Sequence, residues 1–114
     1  MSQRFVLFVT GKTIGQGEEK LGEKLLTAFF QVLEEGEDLP AHILLMHEGV
    51  KLSVEETPVL DVLKVLERKG VKIFSCGTCL DYYNIKDQLK VGQVGNMYGI
   101  KDILVKADKI INLG

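Results

Sequence analysis

Two cysteines lie three positions apart in the segment Ser75-Cys76-Gly77-Thr78-Cys79, directly after an apolar run typical of a buried strand. Reactive groups of open α/β sheets collect beyond the carboxyl ends of the strands. If Gly77 opens a short helix, Cys76 faces unpaired N–H groups and the positive end of the helix dipole, which favour a thiolate. The pattern predicts Cys76 as the nucleophile, left open to an incoming sulfur compound by Gly77. Cys79 lies one turn further on the same face, within disulfide reach.

Other interpretations of the cysteine pair remain open. Both residues could be buried small hydrophobic side chains, as free cysteines often are. A thioredoxin-type oxidoreductase also uses Cys-x-x-Cys, although here the chain has no Trp and the motif follows the third strand. A zinc site needs two further ligands, and His42 and His47 do not have a finger spacing, so no metal site is predicted.

Several other residues should lie at the same edge of the sheet as the cysteines. Gly11 and Gly15 belong to a glycine-bearing loop after the first strand, but their spacing fits neither a phosphate loop nor a dinucleotide loop. The second strand should neighbour the third, so His47 is a candidate proton donor or charge partner; a solvated loop is the alternative. The candidates for lining the site are Gly11, Gly15, His47, Glu48, Gly77, Asn96 and Met97.

The elements that must position these residues follow from apolar runs and their boundaries. Strands are predicted at 5–9, 43–46, 71–74, 91–95 and 109–113, and helices at 21–36, after Thr57-Pro58 up to Gly70, and after Asn96. Strand and helix alternate throughout. This pattern predicts a single α/β domain over residues 1–114, with a parallel sheet covered by helices on both faces.

The first predicted helix is apolar over an unusually wide arc. One stripe contains Leu21, Leu25, Ala28, Phe29 and Val32, and a second contains Leu26, Phe30 and Leu33. A small sheet covers only one such stripe, and large apolar patches are rarely left in water. We therefore predict a homo-oligomer.

Composition excludes several classes of protein. The formal net charge of −2 argues against nucleic acid and anionic membrane surfaces as partners, since both require a basic excess. The apolar run after the N-terminus is shorter than a signal peptide requires, and no stretch approaches the roughly 18 apolar residues of a spanning helix. Two cysteines are too few for a disulfide framework. We therefore expect a cytoplasmic protein without a cofactor.

Four segments together resemble the DsrE-like sulfur-relay family, and most closely the DsrE-like domain of the YedF proteins of selenium metabolism. They are residues 13–22, 48–52, 75–81 and 91–97, and the cysteine segment is the most specific of them. The resemblance covers essentially the whole chain. It implies a three-layer α/β/α fold with five parallel strands in the order 4-3-2-1-5 and a tendency to form dimers, trimers or hexamers.

The same resemblance implies sulfurtransferase-like chemistry, in which a cysteine after the third strand accepts sulfur as a persulfide. That cysteine corresponds to Cys76, and Cys79 matches a second cysteine of the YedF-type subset. YedF proteins carry a TusA-like domain ahead of this one, whereas this chain starts at the first strand, so donor and acceptor proteins are expected in trans. The rival hypotheses are a non-catalytic oligomeric binding module and a thiol–disulfide oxidoreductase.

Overall fold

Five parallel strands form the centre of the computed structural model, which describes residues 5–114. The strands are β1 (Phe5–Val9), β2 (His42–Leu45), β3 (Lys72–Cys76), β4 (Gln93–Gly95) and β5 (Lys109–Leu113). The helices are α1 (Glu19–Glu35), α2 (Pro58–Arg68), α3 (Gly77–Tyr82) and α4 (Met97–Lys106), with 3-10 segments at His47–Ser53 and Lys86–Gln88. Neighbouring strands pair in the order β4-β3-β2-β1-β5. The predicted parallel sheet and its order are confirmed.

Helices cover the sheet on both sides. Helices α1 and α2 pack against each other. The connection from β4 to β5 crosses the sheet in the direction opposite to the earlier connections, so the right-handed crossover rule places α4 on the other face. There Ile100 of α4 is buried beside Gly95. Central strand residues such as Leu7 and Ile43 are fully buried, as the continuous apolar runs predicted.

The two apolar stripes of α1 have different environments. Leu26 and Phe30 are buried in the core. On the other stripe Leu21, Leu25 and Val32 are 55%, 46% and 67% exposed. Gly22 explains which stripe faces inward, because a Cβ there would approach the Thr13 Cβ to 2.6 Å. The glycine loop thus packs directly on the helix backbone at this position, and the outer stripe remains uncovered in the single chain.

Local signals set most of the boundaries correctly. Thr57 caps α2 by accepting the N–H of Leu60 at 3.3 Å, and Asn96 caps α4 by accepting the N–H of Gly99 at 2.8 Å. The fourth strand begins at Gln93 rather than at 91, because Gly92 has a φ of 75° and forms a tight turn.

Within residues 5–114, no helix has the length and apolar character that crossing a membrane requires.

Candidate functional site

Cys76 lies at the junction of β3 and α3. It is the last residue of the strand, where it pairs with Gly95 of β4, and it is also the N-cap residue of the helix. Its side chain is only 2% exposed and belongs to the hydrophobic core. The expectation that this thiol is open to an incoming sulfur compound is therefore wrong for the single chain. The physical reason is that β3 continues two residues beyond the predicted end at residue 74, so Cys76 is still held within the sheet.

Gly77 has a packing role that differs from the predicted one. A Cβ at this position would lie 3.2 Å from Cγ1 of Val94 and 3.4 Å from the carbonyl oxygen of Gly95. The first distance is shorter than ordinary van der Waals contact, so with a larger residue either the Val94 side chain or the start of α3 would have to shift by a few tenths of an ångström. Gly77 thus allows the start of the helix to pack closely on the edge strand, and it does not open a path to Cys76.

Cys79 is the more accessible of the two thiols. It is half-buried in the first turn of α3, and its Sγ accepts a hydrogen bond from the backbone N–H of His47 at 3.2 Å. Burial raises the pKa of the Cys79 thiol, and the hydrogen bond from His47 opposes that shift. The Cys76 thiol raises the Cys79 pKa further through a hydrogen bond and through its charge. The two thiols lie three residues apart at the start of α3.

His47 reaches this site through its main chain. It follows β2 immediately and has a φ of 55°, in the left-handed region that a residue with a Cβ adopts only at a cost. Its side chain is exposed, whereas its N–H points at the sulfur of Cys79. The structure thus brings His47 to the cysteine pair, as the neighbouring strand ends suggested. The contact is made by the amide, and a role of the imidazole as proton donor stays a prediction.

Two charged side chains and an aromatic ring form the rim beside Cys79. The Nζ of Lys51 lies 4.3 Å from the centre of the Tyr83 ring and 3.8 Å from a carboxylate oxygen of Glu48. Burial raises the pKa of Tyr83, and the negative charges of Glu48 and Cys79 raise it further. Tyr83 is therefore an electrostatic neighbour of both the Cys79 thiol and the Glu48 carboxylate.

The glycine loop lies apart from the cysteines. A Cβ on Gly11 would lie 3.6 Å from the Cα of Gly114, so this residue packs against the end of the chain after β5. Gly15 has a φ of 83° and lines a polar cavity together with Lys12 and Glu48. The loop follows β1, and β2 lies between β1 and the strand β3 that ends at Cys76. Glu48 lines the cavity of the glycine loop and also lies beside Lys51 at the rim of the cysteine site.

Asn96 and Met97 follow β4 at the same edge of the sheet. The side-chain oxygen of Asn96 is engaged in the α4 cap. Met97 is exposed, as is Val94, whose side chain packs beside Gly77. These residues surround the start of α3 without an observed contact to either sulfur. Among the described residues, no group of three or more His, Cys, Asp or Glu side chains could hold a metal ion.

The family follows from comparison with known proteins. A model of the DsrE/DsrF-like family matches residues 1–113. The chain belongs to the DsrE/DsrF-like family. The crystal structure of the YchN protein from E. coli is similar, with a TM-score of 0.71 and 22% identity over 97% of this chain and 99% of the other. At that identity the similarity demonstrates a shared fold and nothing further. No curated protein matches the sequence significantly.

Sequence reasoning missed two features of this DsrE/DsrF-like site. Lys51 looks like an ordinary solvated lysine in the sequence, and only the 3-10 segment brings it over an aromatic ring. Ser53 and Ser75 form a fully buried hydroxyl pair at 3.1 Å directly before Cys76. A serine inside an otherwise apolar strand was the one available signal for that pair, because a buried hydroxyl requires a partner.

The arrangement is suited to sulfur exchange between thiols. A half-buried sulfur at Cys79 is held by an amide donor, and a second sulfur lies behind it in the core. Thiolate attack on a sulfur–sulfur bond requires a positioned nucleophile and a route for the leaving thiolate, with no metal or other cofactor.

Proposed function

We propose that this DsrE/DsrF-like protein carries sulfane sulfur as a persulfide on the Cys76–Cys79 pair, with Cys76 accepting and donating the sulfur within a relay. The observation that carries the proposal is the placement of two free thiols at the carboxyl end of β3 and in the first turn of α3, with the Cys79 sulfur held by the His47 amide. The resemblance of the cysteine segment to sulfur-relay proteins supports the same chemistry.

The exchange steps need no reagent beyond the thiols and their persulfides. A thiolate of the pair attacks the outer sulfur of a donor persulfide, a new sulfur–sulfur bond forms, and the donor leaves as a thiolate. An acceptor thiolate later attacks the same outer sulfur and takes it away. Alternatively, Cys79 attacks the inner sulfur of a Cys76 persulfide, which forms a Cys76–Cys79 disulfide and releases hydrosulfide. Restoring the thiols after that second route requires a dithiol reductant.

We infer that the donor and the acceptor are separate proteins that dock in trans, with TusA-like carriers as the first candidates. Val94 and Met97 offer exposed apolar contacts beside α3 for such docking. The proposed cargo is sulfur; selenium is the alternative suggested by the resemblance to YedF proteins. The proposed setting is the cytoplasm, where thiols stay reduced.

The experiment that tests the relay is sulfur loading of the reduced wild-type protein with glutathione persulfide, followed by intact-mass analysis. We expect the mass of one added sulfur atom, removable by cyanide or by an acceptor thiol. The matched control is the double variant Cys76→Ser/Cys79→Ser, which should gain nothing. A wild type that gains no more sulfur than the double variant would contradict the relay and leave the binding module as the better hypothesis.

A thiol–disulfide oxidoreductase is the second candidate, and the Cys-x-x-Cys spacing of two free thiols at the start of α3 favours it. Such an enzyme would exchange a Cys76–Cys79 disulfide rapidly with substrate dithiols. Stopped-flow reduction of the oxidised protein by dithiothreitol, compared with transfer of sulfur from the loaded protein to a thiol acceptor, separates the two activities. The relay predicts that sulfur transfer is the faster reaction.

A further inference from the structure

The two thiols differ in access, and the difference is opposite to the sequence-based expectation. The side chain of Cys76 is enclosed in the core, whereas that of Cys79 reaches the surface. A donor persulfide on another protein can approach only a sulfur that its own sulfur atoms can touch. The burial of Cys76 therefore raises the question of how sulfur reaches it.

We propose that Cys79 is the thiol that first receives sulfur from the donor, that the backbone N–H of His47 positions and stabilises the Cys79 thiolate, and that the sulfur then moves inward to Cys76. This inference rests on the proposed persulfide relay and adds the order of transfer. It also assigns His47 as a positioning residue that acts by its amide.

The geometry of His47 supports the second part of the proposal. Its φ of 55° is one of two positive values among the described non-glycine residues, so the backbone holds an unfavourable conformation at this position. That conformation coincides with the hydrogen bond from the His47 amide to the sulfur of Cys79. Strained backbone persists only where the surrounding structure enforces it, and such positions cluster at functional sites.

The rest of the site sets the resting state of Cys79. Burial and the neighbouring Cys76 raise the pKa of the Cys79 thiol, so at neutral pH the resting group is mainly protonated. Among the influences on this thiol, the His47 amide is the one that favours the thiolate. A thiolate of raised pKa is also the stronger nucleophile once it forms.

Both transfers balance without an oxidant or a reductant. In the first, the Cys79 thiolate attacks the outer sulfur of the donor persulfide, and the donor leaves as a thiolate that takes up the proton released by Cys79. In the second, Cys76 gives its proton to Cys79 as its sulfur bonds to the same outer sulfur, and the bond between that sulfur and Cys79 breaks. The Cys79 thiol is regenerated, and the persulfide lies in the core, shielded from water.

Single-cysteine variants test the order of transfer. With glutathione persulfide at short reaction times, Cys76→Ser should load at least as fast as the wild type and keep the sulfur on the peptide that contains Cys79. Cys79→Ser should load at least tenfold more slowly, because its remaining thiol is enclosed. If Cys79→Ser loads as fast as the wild type, the proposed order is overturned while the relay stands. Failure of the wild type itself to load contradicts the relay instead.

A pair of His47 variants tests the role of the amide. In the Cys76→Ser background Cys79 is the only thiol, so its alkylation rate can be followed across pH. Both His47→Gly and His47→Val lack the imidazole, but glycine adopts a positive φ freely whereas valine resists it. A hydrogen bond to a charged group supports a difference of about tenfold in thiolate formation. We therefore expect alkylation near neutral pH to be about tenfold slower in His47→Val than in His47→Gly.

Gly70→Ala serves as the control for backbone strain at a distance. Gly70 has a φ of 102° and precedes β3, at the edge of the sheet opposite to the cysteines. Its substitution should destabilise the protein and leave the pH profile of Cys79 unchanged. If His47→Gly and His47→Val slow the alkylation of Cys79 equally, relative to the Cys76→Ser protein with His47 intact, the effect belongs to the imidazole. That result would overturn the role of the amide. If Gly70→Ala shifts the pH profile of Cys79 alkylation, general backbone strain explains the effect. That result would also overturn the role of the His47 amide.

Discussion

The buried hydroxyls of Ser53 and Ser75 form a chain of hydrogen bonds, and the direction of these bonds determines which serine contributes more to the free energy of unfolding. Ser75 donates to Ser53 at 3.1 Å, and Ser53 donates to the carbonyl oxygen of Val50 at 2.7 Å. Both serines are completely buried. The chain of bonds joins the end of β3 to the 3-10 segment that carries His47. Removing one serine is therefore not equivalent to removing the other.

The two single variants should differ severalfold in their effect on the free energy of unfolding. Ser75→Ala leaves the bond from Ser53 to Val50 intact, so we expect a loss of about 0.5 kcal/mol. Ser53→Ala leaves the Ser75 hydroxyl buried without its acceptor and also removes the bond to Val50. Because an unsatisfied buried group carries its full desolvation penalty, we expect a loss of about 2 kcal/mol.

The double variant gives the sharper result. In Ser53→Ala/Ser75→Ala no hydroxyl is left without a partner, so we expect a loss of only about 1 kcal/mol, which makes it more stable than Ser53→Ala alone. Urea unfolding at a single protein concentration measures the free energy of unfolding of the wild type and the three variants. The comparison requires that this free energy fall with urea at the same slope in all four proteins. Equal losses in the two single variants, or a double variant less stable than Ser53→Ala, would refute the reasoning.

The remaining predictions concern assembly and the thiols. Light scattering at micromolar concentration should give a mass above that of a monomer, since the outer stripe of α1 is exposed. The double variant Leu25→Glu/Val32→Glu should lower this mass, and a monomeric wild type would contradict the predicted homo-oligomer. Mild oxidation should close a Cys76–Cys79 disulfide within one chain, readily reduced because its loop is short; mass spectrometry showing two free thiols would count against it. Replacing Cys76 by Ala should lower the Cys79 pKa, because Cys76 contributes to its rise, and should speed the alkylation of Cys79 near neutral pH; an unchanged rate would argue against the coupling. Because folding raises the Cys79 pKa, ionisation of this thiol costs more in the folded protein than in the unfolded chain. The free energy of unfolding should therefore fall as the pH rises above about 9, which urea unfolding across pH can follow.

Local chemistry determined the elements of this protein. Continuous apolar runs identified the strands, since a strand buried on both faces needs no alternation. Thr57 and Asn96 marked two helix starts, because a side-chain oxygen satisfies an N–H group that the helix leaves free. The order of the strands is a non-local property, and it came from the resemblance of four segments to a known family. Cys76 and Cys79 were found as a pair because their spacing is itself local.

Tertiary structure alone decided how that pair is presented. Whether Cys76 is enclosed depends on how far β3 continues its pairing with β4 and on how closely α3 packs at Gly77. The direction of the His47 amide depends on a positive φ that no neighbouring residue type announces. Likewise, both stripes of α1 have helical periodicity, and only the contact of the glycine loop at Gly22 selects the one that faces the core. Spacing along the chain determines which groups are neighbours in an element, whereas exposure depends on contacts between residues distant in sequence.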